Sequence, residues 1–230
     1  MFQIKIFSIF NILLLLIIST KLAYSTSFNL NTSGERKFEL NYKVSQPQIF
    51  FTSNAPLEDI KGSVNSEFIS GTINLDPANI ENVNGNVSFE VKGMETGIQK
   101  RNGHLYGKNW LDAESYPDIS FVLLGLSGVK VASVDAARGR ATANAIASGN
   151  ITIHGKTKTI NLDVTITYIK ESELTKKRTP GDFLSVAGKF DAELSDFDIN
   201  GTEGLIGSKV GKTINIDFEL FFAGKTQMNN

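Results

Sequence analysis

The chain reads as an all-β protein: about eight to ten antiparallel strands in a barrel or sandwich, with one short helical crossover. Three observations predict this. Apolar and polar residues alternate with period two through most of the sequence, the pattern of strands with one dry and one wet face. Turn signals rich in Gly and Pro separate those runs. A single long interval, residues 96–121, breaks the alternation, and it holds the only Trp and one of the two His residues.

The first 25 residues read as a leader rather than as fold. Lys5 precedes an apolar stretch over 6–18, interrupted by Ser8 and Asn11, and Ala23-Tyr24-Ser25 supplies small residues for cleavage after Ser25. The unbroken apolar run 12–18 is far shorter than the roughly 20 residues of a spanning helix. Residues 26–230 are expected to form one domain. The leader carries Lys5 and Lys21 and no acid, so its removal takes the net charge from −1 to −3. That is too close to neutral for a nucleic-acid binder. The chain has no Cys, which excludes disulfides, a thiolate nucleophile, a Cys-ligated metal and a lipidated N-terminal Cys. Stability must come from core burial, and the length suffices for that.

The elements follow in order. Phe38, Leu40, Tyr42 and Val44 make the first alternating run, and residues 49–51 and 68–75 the next two. Val87, Phe89 and Val91 follow. In the crossover, short helices are expected over 99–106 and 110–115. Gly97 and Gly103 preclude one long helix, and Tyr116-Pro117 stops the second. Ile119, Phe121 and Leu123 resume the strand pattern, and Ile151 and Ile153 continue it. Ile160, Leu162, Val164, Ile166 and Tyr168 form the clearest set. Leu184, Val186, Phe190, Ala192 and Leu194 form another, with Gly188 in register. Ile214, Ile216, Phe218, Leu220 and Phe222 close the chain. Turns are expected at Asn84-Gly85, Gly103, Gly139, His154-Gly155, Pro180-Gly181 and Asn200-Gly201. Residues 133–147 and the charged run 170–180 read as solvated connectors.

A barrel of about eight strands leaves room inside for packed side chains or one small ligand. Periodicity leaves both open. Phe51, Phe68, Phe89, Phe121, Phe190 and Phe218 face the interior in either case, and line a tunnel only if it is hollow. Trp110, Leu123 and Ile153 belong with them as wall residues. His104 and His154 are the only histidines, and neither has the spacing or companions of a zinc site. No Gly-x-Ser-x-Gly nucleophile elbow is present. His104 reads first as a ring bonded to backbone that fixes the crossover, and second as a head-group contact. His154 reads as capping or packing its turn, and is carried as a mouth residue too. Arg101 is the strongest polar candidate for an oxyanion; Lys100 and Lys108 read as solvated.

Several separated segments carry a resemblance. Thr96-Gly97, Arg101-Asn102-Gly103-His104-Leu105, Trp110-Leu111-Asp112, Tyr116-Pro117 and Phe121 resemble the signature of the YceI-like family. So does Gly149-Asn150-Ile151-Thr152-Ile153-His154-Gly155-Lys156-Thr157-Lys158. Residues 190–199 and the closing strand over 209–222 resemble later family elements. The likeness spans residues 38–222. Departures include Asn102 in place of an Asp, Leu194 in place of an Arg, and Asp198 in place of a Gly.

The resemblance implies a lipocalin-like antiparallel β-barrel of about eight strands. It implies an exported, non-enzymatic binding protein, periplasmic or at the outer surface, holding an isoprenoid lipid of quinone or polyprenyl phosphate type. No other cofactor and no metal is expected; transient membrane contact and a homodimer are compatible with this. Two alternatives stay open: a quinone- or lipid-modifying enzyme using His104 and Arg101, and a surface interaction protein with a filled barrel.

Overall fold

The computed structural model of the protein describes residues 25–226, so the predicted leader, apart from Ser25, lies outside the described residues. Eleven strands form one antiparallel sheet, and eight of them close on each other as a barrel. In ring order these are β1 (Arg36–Leu40), β4 (Ile69–Asp76), β5 (Asn79–Glu90), β7 (Asp118–Asp135), β8 (Arg140–Ile153), β9 (Lys156–Ile169), β10 (Asp182–Glu193) and β11 (Thr213–Thr226). The pairing of β11 with β1 closes the ring. Closure removes the sheet edges that an open sheet of these long strands would leave unpaired.

Three shorter strands extend the wall. β2 (Gln48–Ala55) pairs with the first half of β11, from Ile214 opposite Ser53 to Glu219 opposite Gln48. β3 (Glu58–Val64) pairs with β2, and β6 (Met94–Glu95) with β3. β11 therefore meets β1 at one end of the barrel and β2 at the other. Among the described residues one α-helix, α1 (Gln99–Leu105), crosses from β6 toward β7.

The alternation works as read. Along β9, Leu162, Val164, Ile166 and Tyr168 are buried, while Asn161, Asp163 and Thr165 are exposed. β8 has the same period with smaller residues: Ala141, Ala143, Ala145, Ala147, Gly149, Ile151 and Ile153 all face inward and are buried.

Five expectations are corrected. Residues 133–147 are not a connector: they hold the end of β7, a turn over 136–139 and half of β8. Register shifts at Leu123/Gly125, Ser127/Lys130 and Val131/Ser133 break the period along β7, which hides the strand from a pattern search. Asn84-Gly85 lies inside β5 rather than at a turn. Gly85 sits there because a Cβ would come within 2.5 Å of the Thr72 carbonyl oxygen on β4. The β4–β5 turn is instead at Pro77-Ala78, where the Ala78 N–H donates to Asp76 Oδ1 at 2.9 Å. The strand through Phe38 ends at Leu40, and residues 42–44 form a turn in which the Val44 N–H donates to the Asn41 carbonyl at 3.1 Å. Residues 110–115 form successive turns rather than a helix, because Asp112 takes a positive φ of 44°. The other crossover helix is present at its expected place, although Gly103 lies within it and not at a turn.

The β1 end of the barrel is blind. Phe28, Phe38, Tyr168 and Phe222 are fully buried there. Phe28 stacks on Tyr168 with ring centroids 5.3 Å apart, and Phe38 meets the same ring edge-on at 6.4 Å. Beneath them lies a buried polar knot. Asp182 accepts from the guanidinium of Arg36, from the Tyr168 hydroxyl at 2.6 Å and from the Glu171 N–H at 2.7 Å. Burial, then the bond to Asp182, raises the Tyr168 pKa well above its ordinary value.

Candidate ligand-binding cavity

The rest of the interior is hollow. A cavity of about 580 Å³ runs inside the barrel, within the size range of small-molecule sites. Its walls are almost wholly apolar. Along β11, Ile214, Ile216, Phe218, Leu220 and Phe222 line it in strict alternation. At about 3.4 Å per residue, that run covers about 27 Å of strand. Leu75, Leu184 and Phe222 form its floor against the blind end.

A Phe-rich barrel stays open because its rings lie against glycines. Phe51 sits opposite Gly62, and Phe218 opposite Gly188, in direct cross-strand register. A Cβ on Gly62 would fall 2.1 Å from the Phe51 ring, and one on Gly188 would fall 2.9 Å from the Phe218 ring. Phe121 covers Gly149 from the diagonal position on β7, where a Cβ would fall 2.2 Å from its ring. Each ring takes the space of the missing side chain and lies along the wall instead of across the lumen. The Ala row of β8 adds width, and Ala147 is among the lining residues.

The mouth is polar. Glu58, Thr96, Lys100, Arg101, His104 and Lys209 line the cavity at this end. Arg101, on α1, forms an ion pair with Glu58, at the start of β3. Lys100, His104 and Lys209 are exposed and add two further positive charges. Among the described residues Glu58 is the only acid in the lining, so the mouth is net positive on a chain whose overall charge is −1.

Asn102 fixes the crossover. Its Oδ1 accepts from the Thr96 N–H at 2.9 Å and from the Thr96 hydroxyl at 2.7 Å. The Tyr106 hydroxyl donates to the Met94 carbonyl at 2.5 Å. The fastening role read for His104 thus belongs to Asn102 and Tyr106. The His104 ring stands exposed at the mouth and makes no hydrogen bond among the described residues.

The other predicted site residues divide as follows. Phe51, Phe89, Trp110, Phe121, Leu123, Ile153, Phe190 and Phe218 line the cavity, as do Arg101 and His104. Phe68 does not: it lies in a 3-10 turn (Ser66–Phe68) before β4, packed over Gly93. His154 does not either. It occupies the two-residue β8–β9 turn with φ of 49°, beside Gly155 at 70°. Two adjacent positive φ angles are what such a tight hairpin needs. Its Nδ1–H donates to the Phe197 carbonyl at 2.9 Å, and its ring meets Tyr116 edge-on at 4.8 Å.

Sequence reasoning missed the far rim. Leu205, Lys209 and Val210 come from an irregular segment with no periodicity, and Ile60 and Met94 from short strands. Among the described residues, no three His, Asp or Glu side chains gather as a metal site would.

A closed antiparallel barrel with a deep apolar cavity and one polar mouth is a binding-protein architecture. The model of the YceI-like domain matches residues 38–222, and the chain belongs to that family. Solved structures agree on the fold. BcnA of Burkholderia cenocepacia aligns with a TM-score of 0.60 at 20% identity, covering 79% of this chain and 98% of its own. A polyisoprenoid binding domain from Saccharophagus degradans, implicated in plant cell wall breakdown, aligns at 0.58 and 16% identity, covering 81% and 97%. The YceI protein of Campylobacter jejuni aligns at 0.55 and 22% identity, covering 76% and 90%. A search of the curated proteins found no match to this chain.

Proposed function

We propose that the protein is an exported carrier, not an enzyme, that holds the tail of an isoprenoid lipid in its cavity and the head group at the Arg101–Lys209 mouth. The observation that carries this reading is the long apolar cavity with Lys100, Arg101 and Lys209 at its mouth. Membership of a family with a polyisoprenoid binding domain among its structural likenesses supports the lipid class. Each 100 Å² of tail surface removed from water contributes about 2.5 kcal/mol. A tail of several isoprene units thereby outweighs the cost of association and ordering.

The charge at the mouth favours an anionic head group of the polyprenyl phosphate kind over a neutral quinone. Lys100 and Lys209 are free of ion pairs among the described residues, and Arg101 can exchange Glu58 for a phosphate oxygen. The leader pattern read in the sequence of residues 1–25 supports export to the periplasm, with brief membrane contact during loading and delivery. A filled barrel acting only as an interaction scaffold is disfavoured by the cavity. The enzymatic reading is disfavoured because, among the described residues, the His104 ring has no hydrogen-bond or ion-pair partner.

The experiment is a binding titration of the delipidated protein with a polyprenyl phosphate in detergent, run beside Ala147→Phe. The buried Ala147 side chain faces the lumen, so the new ring enters the tail path. Affinity should fall tenfold or more while the melting temperature stays within a few degrees. Unchanged affinity would place the lipid outside the barrel and overturn the proposal.

A further inference from the structure

We propose that Glu81 is a built site for the chain's own α-ammonium group, completed when the leader is removed. This rests on the export reading, because it requires cleavage between Ser25 and Thr26.

The Thr26 backbone nitrogen donates to Glu81 Oε2 at 2.8 Å, and the Thr26 hydroxyl donates to Oε1 at 2.5 Å. Both oxygens of one carboxylate thus face one residue, the residue that cleavage makes the first. Among the described residues, no Lys, Arg or His pairs with Glu81. Before cleavage the Thr26 nitrogen is a neutral amide. Hydrolysis of the Ser25–Thr26 peptide bond by a leader peptidase consumes one water. The Ser25 carbonyl carbon takes the oxygen and leaves as a carboxylate; the Thr26 nitrogen takes the protons and becomes an ammonium. The neutral donor becomes a cation against the carboxylate it already touches, and such charge-assisted bonds are about twice as strong as neutral ones.

The site anchors a strap that seals the barrel. The Ile80 N–H donates to the Thr26 carbonyl at 2.9 Å, and the Phe28 N–H donates to the Pro77 carbonyl at 2.9 Å. The strap follows the start of β5 and sets the Phe28 ring on Tyr168 at the blind end. A free chain end frays unless it is tied down, and Glu81 ties this one at its tip. Leader removal is thereby coupled to closure of the blind end.

The test compares two purified forms. One starts at Thr26; the other is extended through Ala23-Tyr24-Ser25, which moves the amine three residues away. Each is made with Glu81 and with Glu81→Gln. The Thr26 form should melt higher than the extended form by roughly 2–4 °C, and Glu81→Gln should remove that difference. Equal melting of the two forms, or an equal loss in both from Glu81→Gln, overturns the site. The mass of protein recovered from the periplasm tests the export reading separately. A start other than Thr26 overturns the link to processing, whatever the melting data say.

Discussion

At the residue scale, Asp182 holds together three parts of the blind end: Arg36 of β1, Tyr168 of β9 and the backbone at Glu171. Arg36 and Asp182 are both buried, so removing one leaves the other charged and unpaired in a dry site. Asp182→Ala should cost about 3–5 kcal/mol, read as a lowered urea midpoint. Tyr168 adds a pH dependence. Its folded pKa is raised by burial and by the bond to Asp182, so the fold favours the neutral phenol. That stability is fully present below the unfolded Tyr value of about 10 and is lost as pH rises from there toward the folded pKa. Tyr168→Phe should therefore lower stability at pH 7 while flattening its fall above pH 10, measured by denaturation at a series of pH values.

At the scale of elements, the pairing of glycine with phenylalanine decides whether the barrel is hollow. Adding a methyl at Gly62 or Gly149 forces the Phe51 or Phe121 ring off the wall. Gly62→Ala and Gly149→Ala should each cost about 1–3 kcal/mol and narrow the lumen, so thermal stability and lipid capacity fall together. A stability loss with unchanged capacity would mean that the rings do not shape the tunnel. These elements also show what was legible in the sequence. β9, β10 and β11 were plain because their apolar residues alternate without interruption. β7 and the first half of β8 were not, because bulges break the period of one and Ala gives the other little hydrophobic contrast. Gly85 looked like a turn because Asn-Gly is a turn signal, yet it serves the close approach of β4. Most of the wall was visible as inward Phe and Ile. Its mouth was visible only in Arg101 and His104, which the family resemblance picked out; Lys209 and Glu58 are ordinary surface charges in sequence and join them only through the fold.

At the scale of the whole molecule, the barrel has two different ends. One is sealed by aromatic stacking, a buried ion pair and the N-terminal strap. The other opens beside α1 among cations. In the proposed reading a lipid enters tail-first, which leaves its head at the mouth. Replacing Arg101 with Gln and Lys209 with Gln together should weaken a polyprenyl phosphate more than a quinone of equal tail length, compared by titration. Equal losses for both would remove head-group charge from the account. The central claim is that the cavity carries an isoprenoid lipid in the cell, and native mass spectrometry of protein purified from its native cells tests it most directly. The account predicts a bound species, released by organic solvent, whose fragments are prenyl units, and its absence from Ala147→Phe. Repeated recovery of a wild-type protein at its bare chain mass, with nothing extractable, would contradict it.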